Sequence, residues 1–408
     1  MNSSHLRLFP ISLFVLSAFV FGCDGEDPPA APMIPDGCDA FVTPGDDDQT
    51  VVQTALLMVE EGQTLCLDSG TFMFLSELSL AVDGVTVRGA GREMTMLDFS
   101  MQDSGGNGLA ITSDGVTIEA LTVLNTPGDG IRATDVLGIT FRSVGVVWDG
   151  PDVSMHGAYG LYPVGCTNVL IEDCLADGAR DAGIYVGQSN NIIVRRSTAI
   201  NNVAGIEIEN SITAEVYECE ARNNTAGLAI FDLPGLAQYG SLTLAHSNVF
   251  ENNNTPNFGA PGTAVSMIPP GLGMFILASD MNEVRDNMII GNGTAGVAIV
   301  SHDVLFGMED DPDFDTFPSG NWVHSNTFMG NGTAPQGVGL SLIAEMYRPI
   351  DIFWGGCAAP AEDMAPQNCF NNNGDATYYN RGLCGGGDST DLSAVDCMGM
   401  SLPAVELP

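Results

Sequence analysis

A glycine followed by an alternating apolar triplet recurs along most of this chain, and its spacing restricts the possible folds more than any other feature. The triplets are Leu109-Ala110-Ile111, Ile131-Arg132-Ala133, Leu161-Tyr162-Pro163, Ile184-Tyr185-Val186, Ile206-Glu207-Ile208, Leu228-Ala229-Ile230, Met274-Phe275-Ile276 and Val297-Ala298-Ile299. Their first residues stand 22 apart from 109 to 131, 184 to 206 and 206 to 228, and 23 apart from 161 to 184 and 274 to 297. Longer intervals separate 131 from 161, 228 from 274, and 297 from a further register at Val338.

Short alternating runs such as Val116-Thr117-Ile118 and Ile192-Ile193-Val194 fill each interval, separated by Gly, Asn and Asp. A strand-helix-strand unit needs about 30 residues. The interval instead fits three short strands and three turns, one coil of a parallel β-helix. Parallel crossovers are strongly biased to one hand, so the expected fold is all-β, a right-handed parallel β-helix. Only 15% of residues are charged against 45% hydrophobic, with 49 glycines, which suits thin, tightly turning coils. A 408-residue chain would ordinarily divide into two or three domains, but stacked coils extend one body.

Equivalent residues of stacked coils lie about 4.8 Å apart, so like residues should form ladders. Asn201, Asn223 and Asn292 each stand four residues before Gly205, Gly227 and Gly296, and are expected to form an internal ladder. Gln49 to Glu61 has helical periodicity, with Val52, Leu56 and Val59 on one face, and is expected to cap the first coil's open edge. The expected organisation is a signal peptide at 1–22, a lipidated cysteine and disordered tether at 23–48, an N-terminal cap and first coil at 49–82, the β-helix at 83–350 and a Cys-rich C-terminal cap at 351–408.

The apolar run from Leu8 to Phe21 follows Arg7, ends at Gly22-Cys23 and is too short for a good membrane span, so it reads as a secretory segment. Val20-Phe21-Gly22-Cys23 resembles a bacterial lipobox, which implies lipidation of Cys23 and anchoring to a membrane of the cell envelope; plain secretion is the alternative. Export permits disulfides. Cys38 is expected to pair with Cys66, and Cys357, Cys369, Cys384 and Cys397 to form two bridges in one of three connectivities. Cys166, Cys174 and Cys219 lie within the repeats and read as small buried thiols.

With 51 acidic against 12 basic residues, the formal charge of -39 argues against nucleic acid as a partner. The same charge disfavours unassisted binding of acidic polysaccharides unless a cation bridges the two. No cofactor is indicated with certainty. Asp310, Asp311, Asp313 and Asp315 concentrate carboxylates in one loop and are the candidate calcium ligands, though without the fixed spacing of a known calcium loop.

The stretch Asp83-Gly-Val-Thr-Val-Arg-Gly-Ala-Gly91 resembles the opening of pectin-lyase-like β-helices. The segments at 157–174 (GAYGLYPVGCTNVLIEDC), 181–197 (DAGIYVGQSNNIIVRRS), 202–211 (NVAGIEIENS), 231–236 (FDLPGL) and 252–258 (NNNTPNF) resemble a family of bacterial parallel β-helix repeat lipoproteins and secreted proteins of uncharacterised function. The resemblance spans about residues 45–345. It implies the fold and export and supplies no catalytic residues. The wider group includes polysaccharide lyases, hydrolases and epimerases, but the clustered Asp motifs of polygalacturonases and the usual pectate lyase motifs are not visible.

The middle residues of the triplets form an outward column, and its centre is unusual: Arg132, Tyr162, Tyr185 and Glu207 fall on successive coils, with Glu209 on the same face. Aromatic faces beside a carboxylate suit sugar rings. The long coil carrying Trp148 to Tyr159, including His156, is expected to overhang the column; Arg180 and Asp181 lead into it, and Asp232 walls its far end. Glu207 with Asp181 or Asp232 could supply a glycosidase pair. His156, Tyr159, Tyr162 or Tyr185 could act as acid or base in a lyase or epimerase, with Arg180 beside them. The expected function is a monomeric cell-envelope protein that binds polysaccharide along this column, with its modification by lyase, epimerase or hydrolase chemistry left open. The alternative is a non-catalytic scaffold for an envelope protein partner, its polar column merely solvating an exposed sheet.

Overall fold

The computed structural model describes residues 34–309, 311–336, 349–359 and 364–408; the secretory run, Cys23, Asp310 and the register at Val338 lie outside them. Each 22-residue interval is one coil with a strand in each of three parallel sheets. Among the described residues sheet A has twelve strands, from Ala40–Val42 to Cys369–Asn371; sheet B has ten, from Gly70–Met73 to Thr327–Met329; sheet C has eleven, from Ser76–Leu80 to Tyr378–Asn380. The triplets stack in register, Leu109 on Ile131 on Leu161 and Ile184 on Ile206 on Leu228. These first residues point inward and are at most 2% exposed, a continuous apolar column whose removal from water holds the coils together.

The turn from sheet A to sheet B shows how sequence makes a corner. Ala120, Ser143, Asp173, Arg196, Glu218, Ser247, Asp286 and Ser325 each take a left-handed backbone, φ between 47° and 57°. That conformation costs about 1 kcal/mol per L-residue, and it turns the residue that follows inward: Leu121 and Val144 enter the apolar core, and later ones bond the next coil. Asn248, Asn287 and Asn326 form such a ladder, with Nδ2 donating to the next Oδ1 at 2.9 and 3.0 Å. Cys174 and Cys219 occupy earlier rungs, their amides donating to Ser197 Oγ and Asn248 Oδ1. The three repeat cysteines are free and buried, as expected.

The ladder read from the sequence is displaced by one residue. Asn202, Asn224, Asn253, Asn292 and Asn331 form it, with side-chain bonds of 3.0 to 3.2 Å, whereas Asn201 and Asn223 are exposed left-handed turn residues. The coil of Asn292 carries one more residue before its glycine, so counting back four places finds the rung there and the turn elsewhere.

The capping helix runs over Asp48–Met58 and lays Val52 and Leu56 on the first coil. Gln49 and Gln53 accept the amides of Leu75 and of Ser76 and Ser79, the last two on the first strand of sheet C. Residues 40–42, assigned by composition to the tether, instead form the first strand of sheet A, stapled by Cys38–Cys66. At the other end Ile352–Trp354, Cys369–Asn371 and Tyr378–Asn380 continue sheets C, A and C, so the coils run on into the segment read as a cap. The C-terminal bridges are Cys357–Cys384 and Cys369–Cys397.

Candidate functional site

Sheet C positions the site because its strands at 159–164, 182–187 and 204–209 place outward side chains one coil apart. Arg132 pairs with Tyr162, and Tyr185 with Glu207, in the strand register. Tyr159 joins them from the start of its strand. Its ring stacks on Tyr162 at 4.4 Å and meets Tyr185 at 4.7 Å, while Tyr162 and Tyr185 meet edge to face at 4.8 Å. The Arg132 guanidinium lies over the Tyr162 ring, 5.2 Å from its centroid.

The alternative, in which the column merely solvates an exposed sheet, does not hold at its centre. Tyr185 is 3% exposed and Glu207 2%, whereas Arg132, Tyr159 and Tyr162 are half-buried. Downstream of Glu207 the outer face carries Ala229, Phe275 and Ala298 and is covered by a second apolar cluster, to which the insertions contribute Val265, Ile268 and Phe314. The sheet thus has cores on both faces. The tyrosines form the partly open end of a roofed surface.

Buried carboxyls surround this end. Asp181 lies beside Tyr159, and Glu209 lies beside both Glu207 and Tyr185, near enough for each to shift its neighbour's titration. Gly187 permits the last contact: a Cβ there would lie 2.0 Å from the Tyr185 hydroxyl. Burial raises every carboxyl of the group. Asp181 is pushed up to about 7, Asp129 to about 6 and Asp232 to about 9. Glu207 and Glu209 are raised by burial, and Glu207 further by the neighbouring charges of Asp181 and Glu209. Glu207 Oε2 and Asp232 Oδ1 are buried with no hydrogen-bond partner among the described residues, while Asp232 Oδ2 accepts the Gly240 amide at 2.8 Å.

Tyr162 is pushed up to about 12, and Tyr159 and Tyr185 are likewise raised, because burial and neighbouring carboxylates disfavour the phenolate. They are therefore platforms and hydroxyl donors rather than phenolate bases. Asp181, which titrates near neutrality, and Glu207, whose proton affinity burial raises, are the groups suited to proton transfer.

His156 is not available for chemistry. Its Nδ1 and Nε2 face the Gly178 and Gly150 carbonyl oxygens at 2.7 and 2.8 Å, which pins the 148–157 insertion to the corner between sheets B and C. Arg180 also serves that insertion, its Nη1 donating to Ser154 O at 2.7 Å. Asp311 accepts the Tyr239 hydroxyl and the Gly235 amide, tying two roof segments together, and Asp313 and Asp315 are exposed. Among the described residues no three metal-ligating side chains form a group able to hold an ion. Asp129 is a site residue that the sequence marks only weakly. Its signal was an acid just before a column strand, as Asp181 precedes Ala182.

These features define a parallel β-helix whose one outer face combines stacked tyrosines with buried carboxyls. The chain belongs to the family described as right handed beta helix region, whose pattern matches residues 81–233 and 140–307. No curated protein matches it. Among solved structures it is similar in fold to the A-module of the Azotobacter vinelandii mannuronan C-5 epimerase AlgE4, at 15% identity over 83% of this chain and 92% of that one, TM-score 0.51. The AlgE6 A-module from the same organism gives 14% identity, 82% and 92% coverage and a TM-score of 0.49. An alginate lyase from Paenibacillus sp. str. FPU-7 gives 14%, 84%, 98% and 0.43. At these identities the likeness is one of architecture.

Proposed function

We propose that this protein binds a polysaccharide at the open end of the roofed face and modifies it by proton transfer from a buried carboxyl. One observation carries the reading: the half-exposed Tyr159–Tyr162 stack, 4.4 Å between rings, adjoins Asp181, whose carboxyl is held near neutrality. A flat aromatic pair receives a sugar ring, and a group that titrates near the working pH can exchange a proton with it. Glu207 behind the stack is the second acid, and Arg132 at the rim orients a hydroxyl or offsets a uronate.

The test is a screen of the soluble body against neutral and uronic glycans, with and without calcium, followed by assays for reducing ends, unsaturated products and inverted stereocentres. Retention of one glycan, lost in Tyr162→Ala, with turnover lost but retention kept in Asp181→Asn, is the expected result. Equal retention by wild type and Tyr162→Ala would overturn it, and absence of any retained glycan would leave the scaffold reading.

Export and lipid anchoring through Cys23 belong to the same proposal. The three disulfides support an oxidising compartment. Cys23→Ser is expected to move the protein from the membrane fraction to the soluble one.

A further inference from the structure

The outer face of sheet A carries a feature unrelated to the sheet C site. Glu215 and Glu283 stand two coils apart, in register through Leu244, and are 6% and 1% exposed. Both carboxylates bridge the same two kinds of partner. Glu283 takes His324 Nε2 on Oε1 at 3.0 Å and the Leu402 amide on Oε2 at 2.6 Å. Glu215 takes His246 Nε2 on Oε1 at 2.9 Å and the Val405 amide on Oε2 at 2.9 Å. An aromatic ring stacks on each imidazole, Trp322 on His324 at 3.7 Å and Tyr217 on His246 at 5.2 Å.

The occupant, residues 398–408, runs along the solenoid axis, across the strands. Its spacing matches the face. Two coil steps span about 9.6 Å, and three residues of a polyproline-type extended chain span about 9.3 Å. Leu402 and Val405 are three apart, and Pro403 follows the first of them. The segment is rooted by the Cys369–Cys397 bridge and by Asn371 Nδ2 on the Cys397 carbonyl. Close approach requires Gly399, where a Cβ would lie 2.5 Å from Trp322 Cβ.

We infer that this face of sheet A is a peptide-binding site for an extended, proline-containing segment that donates two amides three residues apart, and that residues 398–408 are its displaceable resident ligand. None of these eleven residues is buried, and they add no strand to any sheet. The coils are complete without them. Aromatic-lined grooves recognise such pre-extended chains because little conformational freedom is lost on binding. Here the paired Glu–His groups add amide recognition at fixed spacing.

The experiment uses a chain ending at Cys397 and a fluorescein-labelled synthetic peptide of residues 398–408, read by fluorescence anisotropy. The truncated protein should bind saturably and the full chain at least about tenfold more weakly, because its own segment competes. A Val405→Pro peptide, which lacks one donated amide, should lose about tenfold, as should Glu215→Gln in the truncated protein. A folded truncated protein that ignores the peptide, or equal binding of the Val405→Pro peptide, would overturn the inference. If truncation prevents folding, the full chain with Gly399→Val decides by hydrogen exchange. Loss of protection at the Leu402 and Val405 amides with the coils still protected supports a displaceable strap, and unchanged protection sinks it.

Discussion

Glu207 and Glu209 stand two residues apart on the strand Ala204–Glu209, both buried, with carboxyls close enough to shift one another's titration and the Tyr185 phenol beside Glu209. Burial raises both carboxyls, and two like charges so close cannot both persist in a site of low polarity. Each carboxyl of the pair therefore gives up its proton less readily than an isolated glutamate. That raised proton affinity separates this face from a merely solvated acidic sheet.

Stability should fall as the pH rises. A carboxyl raised in the folded state binds a proton that the unfolded chain has released, so its contribution is full below about pH 4 and is lost as pH rises through the folded value. Those values are about 6 for Asp129, about 7 for Asp181 and about 9 for Asp232. Glu172, held down to about 2 by Arg142, Arg195 and Arg196 despite its burial, acts oppositely, its contribution lost as pH falls from about 4.5 toward 2. Thermal melts should thus peak near pH 4 to 5 and lose on the order of a few kcal/mol by pH 8. Asp181→Asn should flatten the slope between pH 5 and 7. An unchanged melting temperature across that range would refute the protonated cluster.

Tyr162 and Tyr185 should separate binding from packing. Tyr162 is half-buried at the open end, so Tyr162→Ala is expected to weaken glycan retention about tenfold, equivalent to about 1.4 kcal/mol, with little loss of stability. Tyr185 is 3% exposed, so Tyr185→Ala should destabilise by about 3 kcal/mol. Affinity electrophoresis alongside urea denaturation reads both.

The displaced asparagine ladder gives a matched pair. Asn253→Ala strips a bond to the Asn292 side chain and leaves the Asn224 amide and side chain without their acceptor, and should cost about 2 kcal/mol or more. Asn201→Gly keeps the left-handed turn, φ 59°, at an exposed site and should stay within about 0.5 kcal/mol. Chemical denaturation of both would show which asparagine is the rung.

Reducing Cys38–Cys66 should loosen the N-terminal end first. The bridge closes a 28-residue separation and ties the first sheet A strand to the next. A Cys38→Ser/Cys66→Ser double variant should lose about 3 kcal/mol if unfolding stays cooperative. Amides of residues 48–58 should exchange before those of the central coils; simultaneous exchange would contradict it.

The coil period, the inward apolar stack, the Tyr162–Tyr185–Glu207 column and the Cys38–Cys66 bridge were all legible from the sequence, because each depends on spacing within one coil or between neighbours. Asn202 was missed in favour of Asn201 because one inserted residue changes which side of a corner faces inward. His156 and Arg180 look catalytic by type and proximity in sequence, yet both are engaged by the 148–157 insertion, whose path no local pattern specifies.

What the sequence determined by itself was the repeating unit, since strand alternation and turn residues act over a few positions and a parallel stack then propagates them. The tertiary structure alone decided that the outer face of sheet C is roofed, that Cys357 bonds Cys384 and Cys369 bonds Cys397, and that residues 398–408 lie across sheet A. Each of these joins segments tens to nearly two hundred residues apart. Burial by a distant insertion changes a carboxyl's solvation and proton affinity without altering any residue near it, and so the site's chemistry became visible only in three dimensions.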